Sequence, residues 1–274
     1  MADLLDADLI HRSLGDTARQ SLDSLDVLDI VPSTNTWLMQ QDRHERGRFR
    51  AALAEHQTAG RGRQSKRWFS PPGSGVCLSL AYTFSQNPRN LSCLTLAAGV
   101  AVARALEKCG ADTLKLKWPN DLYIGNAKLG GILTDAQTAS GSRITMICGV
   151  GINVDLKPVD AGTDFAGFDY SVTDLRSHFD ELPNRSVLAA AIIDQLTVTI
   201  QTFEQDGLDP FRADWNTRDW LRGKPIEVEM PDSSVHGTAD GIDANGALRV
   251  MTNHGRRRVF TGTVRVAGGG PGAA

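Results

Sequence analysis

"LKLKWPNDLYIGNAKLGGILTDA" (Leu114–Ala136) decides the fold class. Leu114 to Trp118 alternate leucine and lysine, the two-residue period of a half-buried strand. From Asp121 the composition stays strand-like on both sides of Gly125-Asn126, a tight-turn pair. "RITMICGVGINV" (Arg143–Val154) follows after a turn at Ser140–Ser142. Strands joined by turns, with no helix between them, speak for a sheet that is not purely parallel.

Outward from this stretch the elements are mixed. Asp26–Val31, Arg50–His56 and Gly75–Phe84 read as strands. A helix follows the first of them, with Ser33 or Thr34 placed to cap it and Trp37 and Leu38 on its apolar side. Leu91–Gly110 reads as a long helix, apolar almost all round and stopped by Gly110, hence buried against a sheet. After a loop rich in Asp, Pro and Gly, a helix runs from about Ser186 to Asp206, and "DPFRADWNTRDWL" reads as a shorter one. Beyond Arg222–Pro225 the texture changes to short strands with turns at Asp243–Gly246 and Asn253–Gly255, the pattern of a small all-β barrel. The expected class is α+β: a mixed β-sheet with packed helices, then a small β-barrel. The expected boundaries are an acidic segment 1–24, a main domain 25–222, a β domain 223–267 and a disordered tail 268–274.

Composition narrows the function. The chain has 274 residues, net charge −3 and 41% hydrophobic content, ordinary for a globular protein. A pI near 6.1 argues against bulk attraction to nucleic acid. No apolar run approaches the roughly 20 residues that span a bilayer, and "MADLLDADLI" has acids where an export signal has cations. Cys77, Cys93, Cys109 and Cys148 lack CxxC spacing and sit in apolar stretches, as buried thiols of a reducing, cytoplasmic compartment do.

Charge is uneven. The first thirty residues hold seven aspartates, whereas no acidic residue lies between Glu55 and Glu107. Within that gap, "GRGRQSKRWFSPPGSG" (Gly60–Gly75) carries Arg61, Arg63, Lys66 and Arg67. Such a loop makes a local positive potential suited to a small anion such as phosphate. Other chemistries lack their motifs: there is no GxSxG, no P-loop and no metal-ligand spacing among the six histidines. "GVGIN" lacks the strand–helix setting of a dinucleotide fingerprint. What remains are cations, amides and backbone N–H groups, tools for stabilising negative charge.

"STN", "EHQTAGRGRQSKRWFSPPGSGVCLSL", "LKWPNDLYIGNAKLGGILTD" and "GVGINV" stand in the order and spacing of the biotin protein ligases (biotin–[acetyl-CoA-carboxylase] ligases), which the chain resembles from about Val27 into the C-terminal barrel. The resemblance implies a class II synthetase-like ligase core followed by an SH3-like β domain. It implies an ATP-dependent enzyme, with ATP and biotin as substrates and Mg2+ as shield of the triphosphate. Biotin carboxylate would attack the α-phosphorus and expel pyrophosphate. A lysine of the biotin carboxyl carrier protein of acetyl-CoA carboxylase would then attack the biotinyl-5′-AMP and release AMP.

The resemblance also implies roles. Ser33, Thr34 and Asn35 would hydrogen-bond the ureido head of biotin, and Gln57 would close its pocket. Arg61 and Arg63 would hold carboxylate and phosphate, with Gly60 and Gly62 letting the backbone come close, and Trp68 would pack over the site. Lys117 and Asn120 would reach the phosphates and the metal, helped by Asp121. Lys128 would bridge the biotin carboxylate and α-phosphate. Gly130 and Gly131 would leave room for the bicyclic ring. Gly149, Gly151 and Asn153 would line the biotin and adenylate side, and Trp215 would stack near adenine.

Two features depart from the family. Its loop commonly reads G-R-G-R-x-G-R-x-W; here Ser65 and Lys66 replace the second Gly-Arg, reducing backbone freedom and removing a bidentate fork. Only about 25 residues, strongly acidic in balance, precede the first strand, in place of the winged helix-turn-helix of the repressor members, so no DNA partner is expected. A monomer or a homodimer is compatible with the sequence. The 60–67 loop is expected to be mobile until an adenylate orders it. Two rival readings stay open: a lipoate- or octanoate-transferring relative, and a non-catalytic biotin sensor.

Overall fold

A computed structural model describes residues 3–41, 45–88, 90–111, 113–138, 144–156 and 170–267. The expected turn at Ser140–Ser142, most of the Asp/Pro/Gly-rich loop and the tail 268–274 lie outside these described residues.

Seven strands form one sheet: β1 (Leu22–Val31), β2 (Phe49–Gln57), β3 (Gly75–Thr83), β4 (Leu114–Lys117), β5 (Asp121–Ile124), β6 (Ala127–Thr138) and β7 (Ile144–Asn153). Their order is β1-β2-β3-β7-β6-β5-β4, with β1 and β2 parallel and every other neighbouring pair antiparallel. The long strand-like stretch from Asp121 is thus two strands, folded at the Gly125-Asn126 turn.

Alternation assigns each face. Leu53, Leu78, Leu80, Cys148, Val150 and Ile152 point to the main core. That face is covered by α4 (Leu94–Lys108) and α5 (Arg185–Asp206), which pack on one another. A 3-10 turn, Leu91–Cys93, leads into α4, so the expected helix begins three residues late. On the opposite face Ala52, Ala81 and Ile147 meet Leu38 of the short helix α3 (Thr34–Gln40). α3 covers only one end of that face, and the rest is left for a site.

At 22 residues α5 is long and apolar enough to cross a membrane by length and composition, contrary to the sequence reading. Leu188, Ile192, Ile193, Leu196, Ile200 and Phe203 are instead buried in the core. The acidic N-terminal stretch also packs inward. It forms α1 (Ala7–Ser13) and α2 (Asp16–Ser21) and buries Leu5, Ile10, Leu14 and Ala18 against the core, with both helices on α5.

Residues after α6 (Asp209–Thr217) cross to the C-terminal sheet through Arg218–Trp220, which pair with Leu116 at the open edge of β4. That sheet is antiparallel, ordered β11-β10-β9-β8-β12, from β8 (Pro225–Met230), β9 (Ser233–Ile242), β10 (Leu248–Thr252), β11 (Gly255–Val259) and β12 (Thr263–Val266). It docks through Trp118, whose Nε1 donates to Gly246 O at 3.0 Å. Gly246, at φ +74, lies close against Cys93 and Leu96, where a side chain would not fit.

Asp219 sits in this crossing. One oxygen accepts from Leu221 N at 2.9 Å, while Oδ2 is buried with no hydrogen-bond partner among the described residues. Burial raises its pKa to about 6. The folded state therefore holds a proton that the unfolded chain, titrating near ~3.9, has already lost. Stability from this group is complete at low pH and declines as pH rises to about 6. Asp219→Asn is expected to flatten the decline in urea midpoint across that window. An unaltered slope would assign the pH dependence elsewhere.

Candidate functional site

The open face of the sheet is read across the strands. Lys117, Asp121, Gly131, Gly151 and Cys77 are successive cross-strand partners from β4 to β3. Leu133, Gly149 and Ser79 form the next row, and Asp135, Ile147 and Ala81 the one after. Strict alternation would put Lys128 with Ile132, on the core side. The β5–β6 register shifts between Leu122/Gly130 and Tyr123/Lys128, a β-bulge that advances β6 by one residue. Leu129 and Ile132 go to the core, while Lys128 reaches the site face and pairs with Asp121 at 2.7 Å.

A second support fixes Lys128 from the side. Its N–H donates to Ser171 O at 2.8 Å, and its carbonyl accepts from Thr173 N at 2.9 Å. Asn153 Nδ2 holds that segment through Thr173 O at 2.9 Å. The structure therefore places Asn153 off the cavity, behind the strand that carries Lys128. Tyr170, from the same segment, sets its ring 5.0 Å from Lys128 Nζ.

The head of α3 forms a polar nest. Ser33 is its N-cap but makes no capping side-chain hydrogen bond; Gln57 Oε1 accepts from Thr34 N at 2.8 Å instead. Ser79, fully buried, lies 2.7 Å from Thr34 Oγ1 and donates to Asn35 Oδ1 at 2.5 Å. Asn35 Nδ2 donates to Asp135 at 2.9 Å. The carboxamide is thus oriented at both ends. Gly149 lies beneath it, where a Cβ would stand far inside van der Waals distance of Asn35 Oδ1. Gly151 seats Trp68 in the same way, with the indole Cε2 2.5 Å from where a Cβ would be. These glycines seat the residues that line the cavity.

The charged loop is a small hairpin. Trp68 N donates to Gly60 O at 2.9 Å and Gly62 N to Lys66 O at 2.7 Å, with Arg61 bridged to Arg67. Gly60 closes the stem against the Trp68 carbonyl and does not line the cavity; Gly62 does. At the tip Gln64 and Ser65 have φ of 54° and 61°, so the serine stands in the left-handed conformation that the family's glycine would adopt without strain. Arg61 pairs with Asp135 at 3.4 Å. Arg63 is half-buried, with no carboxylate at ion-pair distance among the described residues. Desolvation lowers its pKa, opposed in part by Asp121.

The loop, α3 and the C-terminal sheet enclose a cavity of about 790 Å³, lined also by residues 262–267. Its far wall is Trp220, packed on Tyr123 with ring centroids 4.7 Å apart. Lys117 Nζ lies 5.4 and 5.5 Å from those two rings, and Lys224 Nζ is 3.2 Å from the Trp220 ring. Trp215, expected beside adenine, is instead a core residue on α6, fully buried. Gly130 faces the Gly151 carbonyl rather than the cavity, which leaves Gly131 as the open floor. Asn120 lines the wall, with Nδ2 tied to Ile132 O at 3.0 Å.

So Ser33, Thr34, Asn35, Gln57, Arg61, Gly62, Arg63, Trp68, Lys117, Asn120, Asp121, Lys128, Gly131, Gly149 and Gly151 converge on one cavity. Tyr170 and Trp220 line it unannounced, and Ser79 and Asp135 stand behind it, holding Asn35. Ser79 and Asp135 could have been found from strand parity with Gly149 and Ile147; Trp220 carried no signal that set it apart from Trp215.

The chain matches the Biotin/lipoate A/B protein ligase family over residues 27–153 and the Biotin protein ligase C terminal domain over residues 222–265. It is 35% identical over 247 residues to the bifunctional ligase/repressor BirA of Salmonella typhimurium, covering 89% of this chain and 73% of that protein. It is 30% identical over 213 residues to the biotin–[acetyl-CoA-carboxylase] ligase of Paracoccus denitrificans, covering 75% and 85%. In fold it resembles the biotin protein ligase from Aquifex aeolicus in complex with biotin and ATP, with TM-score 0.72, 24% identity, and coverage of 90% and 100%.

Gly149→Ala is expected to displace Asn35 and weaken biotin binding on the order of tenfold or more, a loss typical of misplaced polar contacts. Calorimetric titration with biotin measures it. Undiminished affinity would mean that the Asn35 seat does not matter to the ligand.

Proposed function

The chain belongs to the biotin protein ligase family, and from that premise we infer that it is an ATP-dependent biotin protein ligase. It joins biotin to ATP as biotinyl-5′-AMP and passes the biotinyl group to a lysine of a biotin carboxyl carrier protein. The observation that carries this reading is the convergence of Lys128 and Arg63 on one cavity beside a polar nest.

In the first step a biotin carboxylate oxygen forms a bond to the α-phosphorus while the bond to the β-phosphate oxygen breaks. Two anions must approach one another, and Lys128 Nζ is the group placed to lie between them. Its partner Asp121, 2.7 Å away, holds the ammonium aimed at the cavity. Arg63, partly desolvated and with no carboxylate at ion-pair distance among the described residues, is placed to pair with an incoming anion. In the second step the carrier amine attacks the acyl carbon, loses its proton and expels AMP. Charge building on the carbonyl and phosphate oxygens meets the same cations.

The Trp220–Tyr123 wall offers adenine an aromatic face, with Lys117 beside it for the phosphates. A Mg2+ ion carried on ATP needs only one or two protein oxygens. Asn120 and Asp121 would supply them, and the ion would screen the triphosphate. The buried, unpaired thiols of Cys77, Cys93 and Cys148 suit a reducing cytoplasm.

An octanoyl chain would need an apolar channel where Ser33, Thr34, Asn35, Gln57 and Ser79 stand, so biotin is the favoured acid. Pyrophosphate release from ATP is the test, with biotin and octanoate compared and Lys128→Ala alongside. Release with biotin alone, reduced on the order of 100-fold or more in the variant, is expected. Release with octanoate would reassign the substrate. Biotin binding without release would make the protein a sensor.

A further inference from the structure

Arg185, the first residue of α5, is a charged side chain only 1% exposed that lines no part of the cavity. Its Nε lies 3.0 Å from Asp3 Oδ1, its backbone N–H donates to Asp3 Oδ2 at 2.7 Å, and Nη2 reaches the Asp3 carbonyl. Nη2 also pairs with Glu55 Oε2 at 2.9 Å, and Nη1 donates to Gly75 O at 3.1 Å. One guanidinium thus joins the N-terminal segment, β2, β3 and α5.

The sheet explains why these points matter. β2 and β3 pair from Phe49/Tyr82 to Ala54/Cys77 and no further. Beyond that, His56 and Gln57 pair only with β1, while Gly75 and Val76 pair with β7. The two strands splay where the charged loop leaves the sheet. Glu55 stands on one stem, two residues before Gln57, and Gly75 begins the other. Arg185 spans the gap with side-chain hydrogen bonds where the ladder has none.

A buried ion cluster is a poor means of gaining stability, because desolvation offsets most of the attraction and apolar replacements are often as stable. What it supplies is a fixed geometry. We propose, building on the ligase reading above, that Arg185 with Asp3 is a positioning device that sets the splay of β2 and β3. It thereby places Gln57 and the Arg61/Arg63 loop over the adenylate. The N-terminal segment then belongs to the catalytic apparatus, acting through Arg185 without touching substrate.

The test is Asp3→Asn, since Asp3 is partly exposed and its loss leaves the Arg185–Glu55 pair in place. Hydrogen exchange of the substrate-free protein is compared over residues 58–74 and over α4. Exchange about fivefold or more faster in the loop, with α4 unchanged, is expected for a local clamp. A second readout is AMP formed in excess of biotinylated carrier, which should rise as the loop loses its hold on the intermediate. Loop exchange that is unchanged, or that rises only in step with α4, overturns the proposal. A triple variant, Asp3→Asn with Glu55→Gln and Arg185→Met, removes every charge of the cluster while keeping its volume. Wild-type loop protection and coupling in that variant would also overturn it. The exchange arm needs no substrate, so absence of pyrophosphate from the unaltered protein would count against the ligase reading alone.

Discussion

The site depends on the two-residue alternation of one sheet, broken at one place. Along β3, β6 and β7 the side chains alternate by parity between the core under α4 and α5 and the opposite face, which carries α3 and the cavity. Lys128 falls on the wrong parity. Without the bulge at Leu129–Gly130 its ammonium would enter the core, where an unpaired charge is prohibitively costly, and Leu129 would face the ligand. The extra residue restores Leu129 and Ile132 to the core and delivers Lys128 to Asp121. A local defect in the ladder thus places the cation to which the proposed reaction assigns the bridging role.

The floor of the cavity follows from the same parity. Gly131, Gly151 and Gly149 stand on β6 and β7 at site-facing positions, so bare backbone lies where side chains would otherwise rise. Two of these positions are filled from above, by Asn35 and by Trp68, and the third stays open. Side chains seated on backbone have few alternative rotamers, and Asn35 is further held by Ser79 and Asp135. The nest is therefore preorganised, which reduces the ordering that a ligand must bring about.

Much of this is legible in the amino-acid sequence. Periodicity gave the strands, the buried helix and the C-terminal β domain, and the acid-free gap around Arg61 and Arg63 marked an anion site. What escaped was long-range in origin. Nothing in the linear spacing of Lys128 reveals a bulge, because the shift is defined against Tyr123 and Leu122 on the neighbouring strand. Trp215 and Trp220 are five residues apart, and only the course of the crossing along β4 decides which one is core and which is wall. Asn153 looks like a ligand residue in "GVGINV" but serves the strand that braces Lys128. The acidic segment 1–24 is marked out by its aspartates alone; the partner of its apolar residues, α5, lies far along the chain.

The charges around the cavity divide into two kinds. Arg61 is exposed and paired with Asp135, at a separation and solvent contact where such a pair contributes about 0–1 kcal/mol. It can leave that partner at little cost. Arg63, Lys128, Lys117 and Lys224 face inward, where Asp121 and Glu227 are the carboxylates on the wall. Lys224 is pushed toward its neutral form by desolvation and then by Lys117, a sign that positive charge there is in excess. An excess of cations in a partly desolvated pocket is unfavourable until a multiply charged anion enters. The cavity thus suits a phosphate ester, and a neutral ligand would leave the repulsion unrelieved. Once pyrophosphate has left, the remaining anion is an adenylate whose single phosphate must satisfy the same groups. In the proposed reaction that ligand would lie between Arg63 and Lys128 at one end and the Asn35 nest at the other, an arrangement that would keep a water-sensitive mixed anhydride in place until an amine arrives.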